Sequence, residues 1–166
     1  LYSLNSFRAS AGYNWKENIH KEHELYPFSV NYVQPANVTP EYDTLRRRVP
    51  ALAKTIEKQF IIGSTYSFTY SNQLEKARSN NLYFNGNVDL SGNILGLVTG
   101  ADYTTGDTVS IFGARFSQYV RLDGDFRYYF KTGRNSQIAS RAIAGFGYPY
   151  GNSFELPFVK QFFVGG

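Results

Sequence analysis

The sequence predicts an all-β chain: an antiparallel transmembrane β-barrel section of about six consecutive strands, with a short helix in one external loop. Three observations lead there. Several stretches alternate apolar and polar residues with period two, and the connections between them alternate between short and long. The composition also joins many aromatics to modest hydropathy. Phe and Tyr number 14 each and aromatics make up 17% of the 166 residues, yet the mean hydropathy is −0.37. That combination is expected where only every second residue faces lipid. No run of ~18 apolar residues exists, so no membrane-spanning helix is expected.

The strands follow in order. Phe7, Ala9, Ala11, Tyr13 and Trp15 alternate with Arg8, Ser10, Gly12 and Asn14. Tyr26, Phe28, Val30 and Tyr32 alternate with Pro27, Ser29, Asn31 and Val33, and Phe60, Ile62, Tyr66, Phe68 and Tyr70 with Gly63, Thr65, Ser67, Thr69 and Ser71. The cleanest alternation runs from Leu82 to Ile94, with Leu82, Phe84, Val88 and Leu90 against Tyr83, Asn85, Asn87 and Asp89. It exceeds the ~9–11 residues that cross a bilayer. From Arg115 to Phe130, Phe116, Val120, Leu122, Phe126, Tyr128 and Phe130 oppose Arg115, Ser117, Arg121, Asp123, Asp125 and Arg127, with Gln118 an exception on the apolar side. Last, Ile138, Ala142, Ala144, Phe146 and Tyr148 oppose Ala139, Arg141, Gly145 and Gly147. Arg121, Asp123, Asp125, Arg127 and Arg141 are thereby expected to face a polar lumen.

Connections at 16–21, 73–80 and 132–137 are short, whereas 35–58 and 99–113 are long and 153–166 opens a third long one. Barrels of the outer membrane have short periplasmic turns and longer external loops, so the long set is expected outside. Trp15, Tyr26, Phe28, Tyr128 and Phe130 gather beside the short turns, as an interfacial aromatic belt would. Single-chain barrels start at about eight strands, and open sheet edges are not tolerated in lipid. With Leu1 in place of an initiator Met and no leader, the chain is expected to be the central part of a larger barrel domain.

Chemistry-bearing clusters are sparse. There is no cysteine, hence no disulfide framework or thiolate metal site, and the net charge of +4 is too mild for a nucleic-acid partner. His20, Glu22, His23 and Glu24 are metal-ligand types, but they fall in an expected turn with no further histidine to complete a zinc site. Asp123 and Asp125 could form a hydrolytic carboxylate pair; Arg121 and Arg127 beside them favour a charge ladder instead. No Ser or Cys stands with a His and an acid to activate it, so neither an enzyme nor a cofactor is expected. Leu45, Val49, Leu52, Ala53 and Ile56 recur at helical spacing among arginines and lysines over 41–58, a short loop helix broken or restarted at Pro50. It reads as a solvated cap, with anionic lipid as the alternative target.

The closing stretch differs in kind. Gly145, Gly147, Tyr148, Tyr150, Gly151 and Asn152 lead into Leu156, Pro157, Phe158, Lys160, Phe162, Phe163, Gly165 and Gly166. A dinucleotide fingerprint needs a helix opening on the glycines, and Tyr148-Pro149-Tyr150 blocks one. Leu156, Phe158, Phe162 and Phe163 form an apolar group that normally finds a partner surface. The segment is expected to fold back over or into the barrel mouth, with Gly165-Gly166 permitting a tight reversal.

These residues resemble the BamA/TamA family of outer-membrane assembly factors, the bacterial surface antigen family, and within it the TamL-like branch. The strand Ser117–Tyr129 supports the resemblance, and the first half of the chain matches in style only. The resemblance implies a barrel of about sixteen strands in a Gram-negative outer membrane, placed after periplasmic POTRA domains not included in this chain. It implies that Gly145, Gly147, Leu156, Pro157, Phe158, Phe162, Phe163, Gly165 and Gly166 belong to an inward-folding loop. The implied partners are outer-membrane lipid, client outer-membrane proteins and a periplasmic or inner-membrane partner reached through POTRA domains. The implied activity is folding or inserting other barrels through a weak seam. A passive channel or porin is the alternative, and a soluble ligand-binding barrel a third.

Overall fold

The structure, a computed structural model, describes residues 3–49, 58–73 and 79–162. Its frame is one six-stranded sheet. Strands β1 (Ser3–Asn18), β2 (Lys21–Ala36), β3 (Gln59–Ser71) and β4 (Asn80–Ser91) are followed by the two-residue strands β5 (Ser110–Ile111) and β6 (Ala114–Arg115). Strands β7 (Tyr119–Lys131) and β8 (Gln137–Pro149) complete the set. The sheet order is β1-β2-β3-β4-β7-β8, each neighbour antiparallel, while β5 and β6 pair as a separate hairpin. Strands β1 and β8 are its edges, and no closure between them is present among the described residues. Helices α1 (Pro40–Arg48) and α2 (Asn93–Thr99) lie in the two long connections. No helix among the described residues is long and apolar enough to cross a membrane, which says nothing of strands.

Local chemistry sets the turns. Asn18 Oδ1 accepts from the backbone N–H groups of His20 (2.8 Å) and Lys21 (3.0 Å), closing β1 onto β2 through two residues, a role for which asparagine is suited. Between β7 and β8, Thr132 N–H donates to Ser136 O at 3.0 Å. The strand ends joined by the short connections lie at one end of the sheet, and those joined by the long connections at the other.

The two faces differ as alternation requires. Phe7, Phe28, Leu122, Phe126, Ile138 and Phe146 project from one face and remain largely exposed. The opposite face carries rows set by register: Thr65–Asp89–Arg121–Gly147, Ser67–Asn87–Asp123–Gly145, and Thr69–Asn85–Asp125–Ile143.

Several expectations need correction. Strand β2 holds one extra residue between Tyr26 and Ser29 relative to both neighbours. Side-chain direction reverses across such a bulge. Tyr26, expected beside Phe28, therefore pairs with Thr65 on the polar face, where its hydroxyl donates to Glu24 at 2.6 Å. Of His20, Glu22, His23 and Glu24, all expected in a turn, His20 lies in one and the other three lie in β2. The His23 ring stacks on Trp15 at 4.8 Å and bonds the Tyr66 hydroxyl at 2.8 Å.

At the other end of the sheet, β4 stops at Ser91, short of Ile94, because Gly92 turns to φ +71° and opens α2. Strand β7 begins at Tyr119, so Gln118 is not an exception within it. Arg115–Gln118 belong instead to the long connection, where Ser117 N–H donates to Phe60 O at 2.9 Å and extends the sheet beyond β4. The expected loop helix is present over Pro40–Arg48; its continuation past Pro50 lies outside the described residues.

The packed core sits at this long-connection end. Phe60, Ala101, Ala114 and Phe116 are buried together, with Val30, Tyr32, Ile62, Leu95, Val109 and Ile111 against them. The β4–β7 connection thus folds down over apolar-face residues of β2 and β3 and removes them from water.

Candidate functional site

The site is the polar face of β4, β7 and β8 together with the segment that follows β8. On the face, charges are paired. Arg121 meets Asp123 at 2.7 Å, and Asp125 meets Arg127 at 2.6 Å and Arg141 at 2.8 Å. Both arginines approach Asp125 through Nε as well as Nη2, the forked geometry that makes such pairs strong. Asn87 Nδ2 donates to Asp123 Oδ2 at 2.8 Å, and the Arg127 guanidinium lies 5.0 Å from the Tyr83 ring centre. Each carboxylate of the Asp123/Asp125 set is thus held by arginine. All five residues expected at a lumen share this one face.

The segment from Tyr150 to Phe162 is rooted by a buried polar knot. Asn152, only 2% exposed, donates through Nδ2 to Val109 O (2.8 Å) and Phe116 O (2.9 Å), and its Oδ1 accepts from Val109 N–H (2.8 Å). Its own N–H donates to Gln118 Oε1 at 3.0 Å, while Gln118 N–H donates to Ser153 Oγ at 2.9 Å. Gly151 turns at φ +55° with Gln118 packed where a side chain would stand. Tyr150 donates its hydroxyl to Asn93 Oδ1, and burial pushes its phenol up from the ordinary value, keeping it protonated.

From that root the chain passes over the polar face. A β-carbon on Gly147 would strike Leu156, and one on Gly145 would overlap the Phe162 ring. The absent side chains are the space the segment occupies. The Arg121 guanidinium lies 4.3 Å from the Phe162 ring centre, a cation–π contact. Pro157 is buried and precedes a single 3-10 turn, Phe158–Lys160. That turn presents Lys160 Nζ to Asp89 Oδ2 at 2.5 Å. Asp89 is 6% exposed and also accepts from the fully buried Tyr119 hydroxyl at 3.3 Å.

Phe162 and Leu156 are therefore brought onto Gly145 and Gly147, with Pro157 and Phe158 in the stretch between them and Phe162 still half exposed. Phe163, Gly165 and Gly166, expected in the same loop, lie outside the described residues. Asp89, Gln118, Asn152 and Lys160 were not singled out as site residues in the sequence. Asp89 read as one more polar-face residue, Gln118 as a break in a pattern, and Asn152 as part of a glycine-rich tail. A buried asparagine carries no periodic signature. No family model matches this chain, no curated protein matches it, and no solved structure matches it.

Proposed function

We propose that this chain is a section of a Gram-negative outer-membrane β-barrel, and that the whole protein is an assembly or translocation factor that folds or inserts other barrel proteins. The single observation carrying this reading is the docking of residues 153–162 onto the bare backbone at Gly145 and Gly147, held by the Lys160–Asp89 pair. A segment returned across the polar face couples the strands it touches and stiffens one wall. A seam elsewhere in the barrel can then open for a client strand without collapse. The exposed apolar face supports outer-membrane lipid as its surroundings. Client barrel proteins, and a periplasmic or inner-membrane partner held through POTRA domains, complete the proposal.

The test replaces both glycines, Gly145→Leu with Gly147→Leu, in the full-length protein. Assembly of other outer-membrane barrels is expected to fall while the variant itself remains a folded, heat-modifiable barrel. Unchanged assembly by a folded variant sinks the reading. The Arg121–Asp123 and Arg127–Asp125–Arg141 pairs also suit the wall of a wet pore, which supports a passive channel as the second reading. Altered conductance without an assembly defect in Arg127→Gln and Arg141→Gln would select it.

A further inference from the structure

Helix α2 has an unusual surface. Ile94, Leu97 and Val98 are 77%, 87% and 79% exposed, and its seven residues carry no charge. Beside it, on the apolar face of the sheet, a cavity of about 210 Å³ is lined by Pro27, Phe28, Ile62, Leu90, Ile94 and Leu95. The bulge in β2 helps make this notch, because the extra residue falls beside Pro27 and Phe28. Glycine at both ends, Gly92 at φ +71° and Gly100 at φ +64°, fixes where the helix begins and stops.

The level of this patch decides what covers it. Ile62 lies nine residues from the short-turn end of β3 at Ser71. At ~3.3 Å per residue that is ~30 Å of strand, and a tilt of ~45° reduces it to a height of ~21 Å. The apolar band of an outer-membrane barrel is ~25 Å tall. The notch and α2 thus stand near the outer limit of the band, and the packed core of Phe60, Ala101, Ala114 and Phe116 lies beyond it. A neutral, leucine-like surface continuous with Phe28 on the exposed apolar face matches hydrocarbon and no charged partner.

We infer that α2 is an interfacial anchor: Ile94, Leu97 and Val98 enter the outer leaflet, and the notch beside it takes a lipid acyl chain. The inference rests on the membrane-barrel reading, and its test separates the two. This chain has no cysteine, so, with any cysteine elsewhere in the full-length protein replaced, a bimane label can be placed singly at Leu97→Cys, at Val98→Cys and, as a mid-band reference five residues from the short-turn end of β7 at Lys131, at Phe126→Cys. The full-length protein is reconstituted in vesicles of phosphatidylcholine brominated either near the headgroup or near the chain end, with heat modifiability reporting folding.

Labels at Leu97 and Val98 are expected to be quenched more by bromine near the headgroup. The label at Phe126 should be quenched more by bromine near the chain end. Quenching at Phe126 with none at Leu97 or Val98 overturns the anchor and leaves the barrel standing, whether those labels are found open to aqueous iodide or covered by protein. No lipid quenching at any of the three sites overturns both.

Discussion

Lys160 Nζ stands 2.5 Å from Asp89 Oδ2, joining residues 71 positions apart. It is the polar counterpart of the glycine contacts: one fixes the segment by shape, the other by charge. Asp89 has little water to fall back on, since it is 6% exposed and its other partner among the described residues is the buried Tyr119 hydroxyl. Losing one member of a buried pair leaves the other uncompensated.

The first prediction concerns that pair. In a double-mutant cycle of Lys160→Met and Asp89→Asn, the two changes should couple by roughly 1–3 kcal/mol, as contacting charges do. Unfolding titrations of the reconstituted protein measure it, and simple additivity would show that the contact contributes nothing.

The second concerns the faces of the sheet. Val88 pairs with Leu122 on the apolar face, and Asn87 with Asp123 on the polar one. An arginine at Val88 should cost about 2–4 kcal/mol if it meets lipid at the bilayer midplane. Asn87→Arg should cost far less, since Asp123 lies opposite it. Equal losses at the two positions in a folding titration would contradict the membrane reading.

The third concerns the root of the docked segment. Asn152→Ala removes three side-chain hydrogen bonds and strands a buried carbonyl of Phe116 and part-buried groups of Val109. Each orphaned group costs ~1–3 kcal/mol, so a loss of about 3 kcal/mol is expected. Hydrogen exchange should show residues 109–118 and 150–162 opening together. Unchanged protection in both would rule out the coupling.

The strands and most of their faces were legible because alternation reports directly on which side of a sheet a residue lies. Leu82 through Leu90 and Val120 through Phe130 kept the expected parity throughout. The bulge in β2 was not legible: Tyr26 and Phe28 share a parity in sequence, and only the pairing of Tyr26 with Thr65 and of Ser29 with Gly63 reveals the extra residue. The packed cap was hidden for another reason. Leu95, Val109, Ile111, Ala114 and Phe116 sit in an irregular connection, where spacing carries no period and burial follows from tertiary contact alone. At the site, paired charges could be inferred from one strand, whereas the Asn152–Gln118 knot joins two connections that only the fold brings together.

That extra residue in β2 also governs how the strand can change over evolutionary time. Between Tyr26 and Ser29, the strand's turn-proximal half is set out of step with the rest. Deleting a single residue there would exchange sides wholesale, sending Glu22 and Glu24 toward Trp15, Tyr66 and Phe68, and His23 and Leu25 among the charged rows. A substitution at Pro27 alters one side chain, but a one-residue deletion reverses half a strand. That stretch should accordingly tolerate a change of residue more readily than a change of length, and a deletion there should be rescued by a compensating one-residue insertion in the same strand.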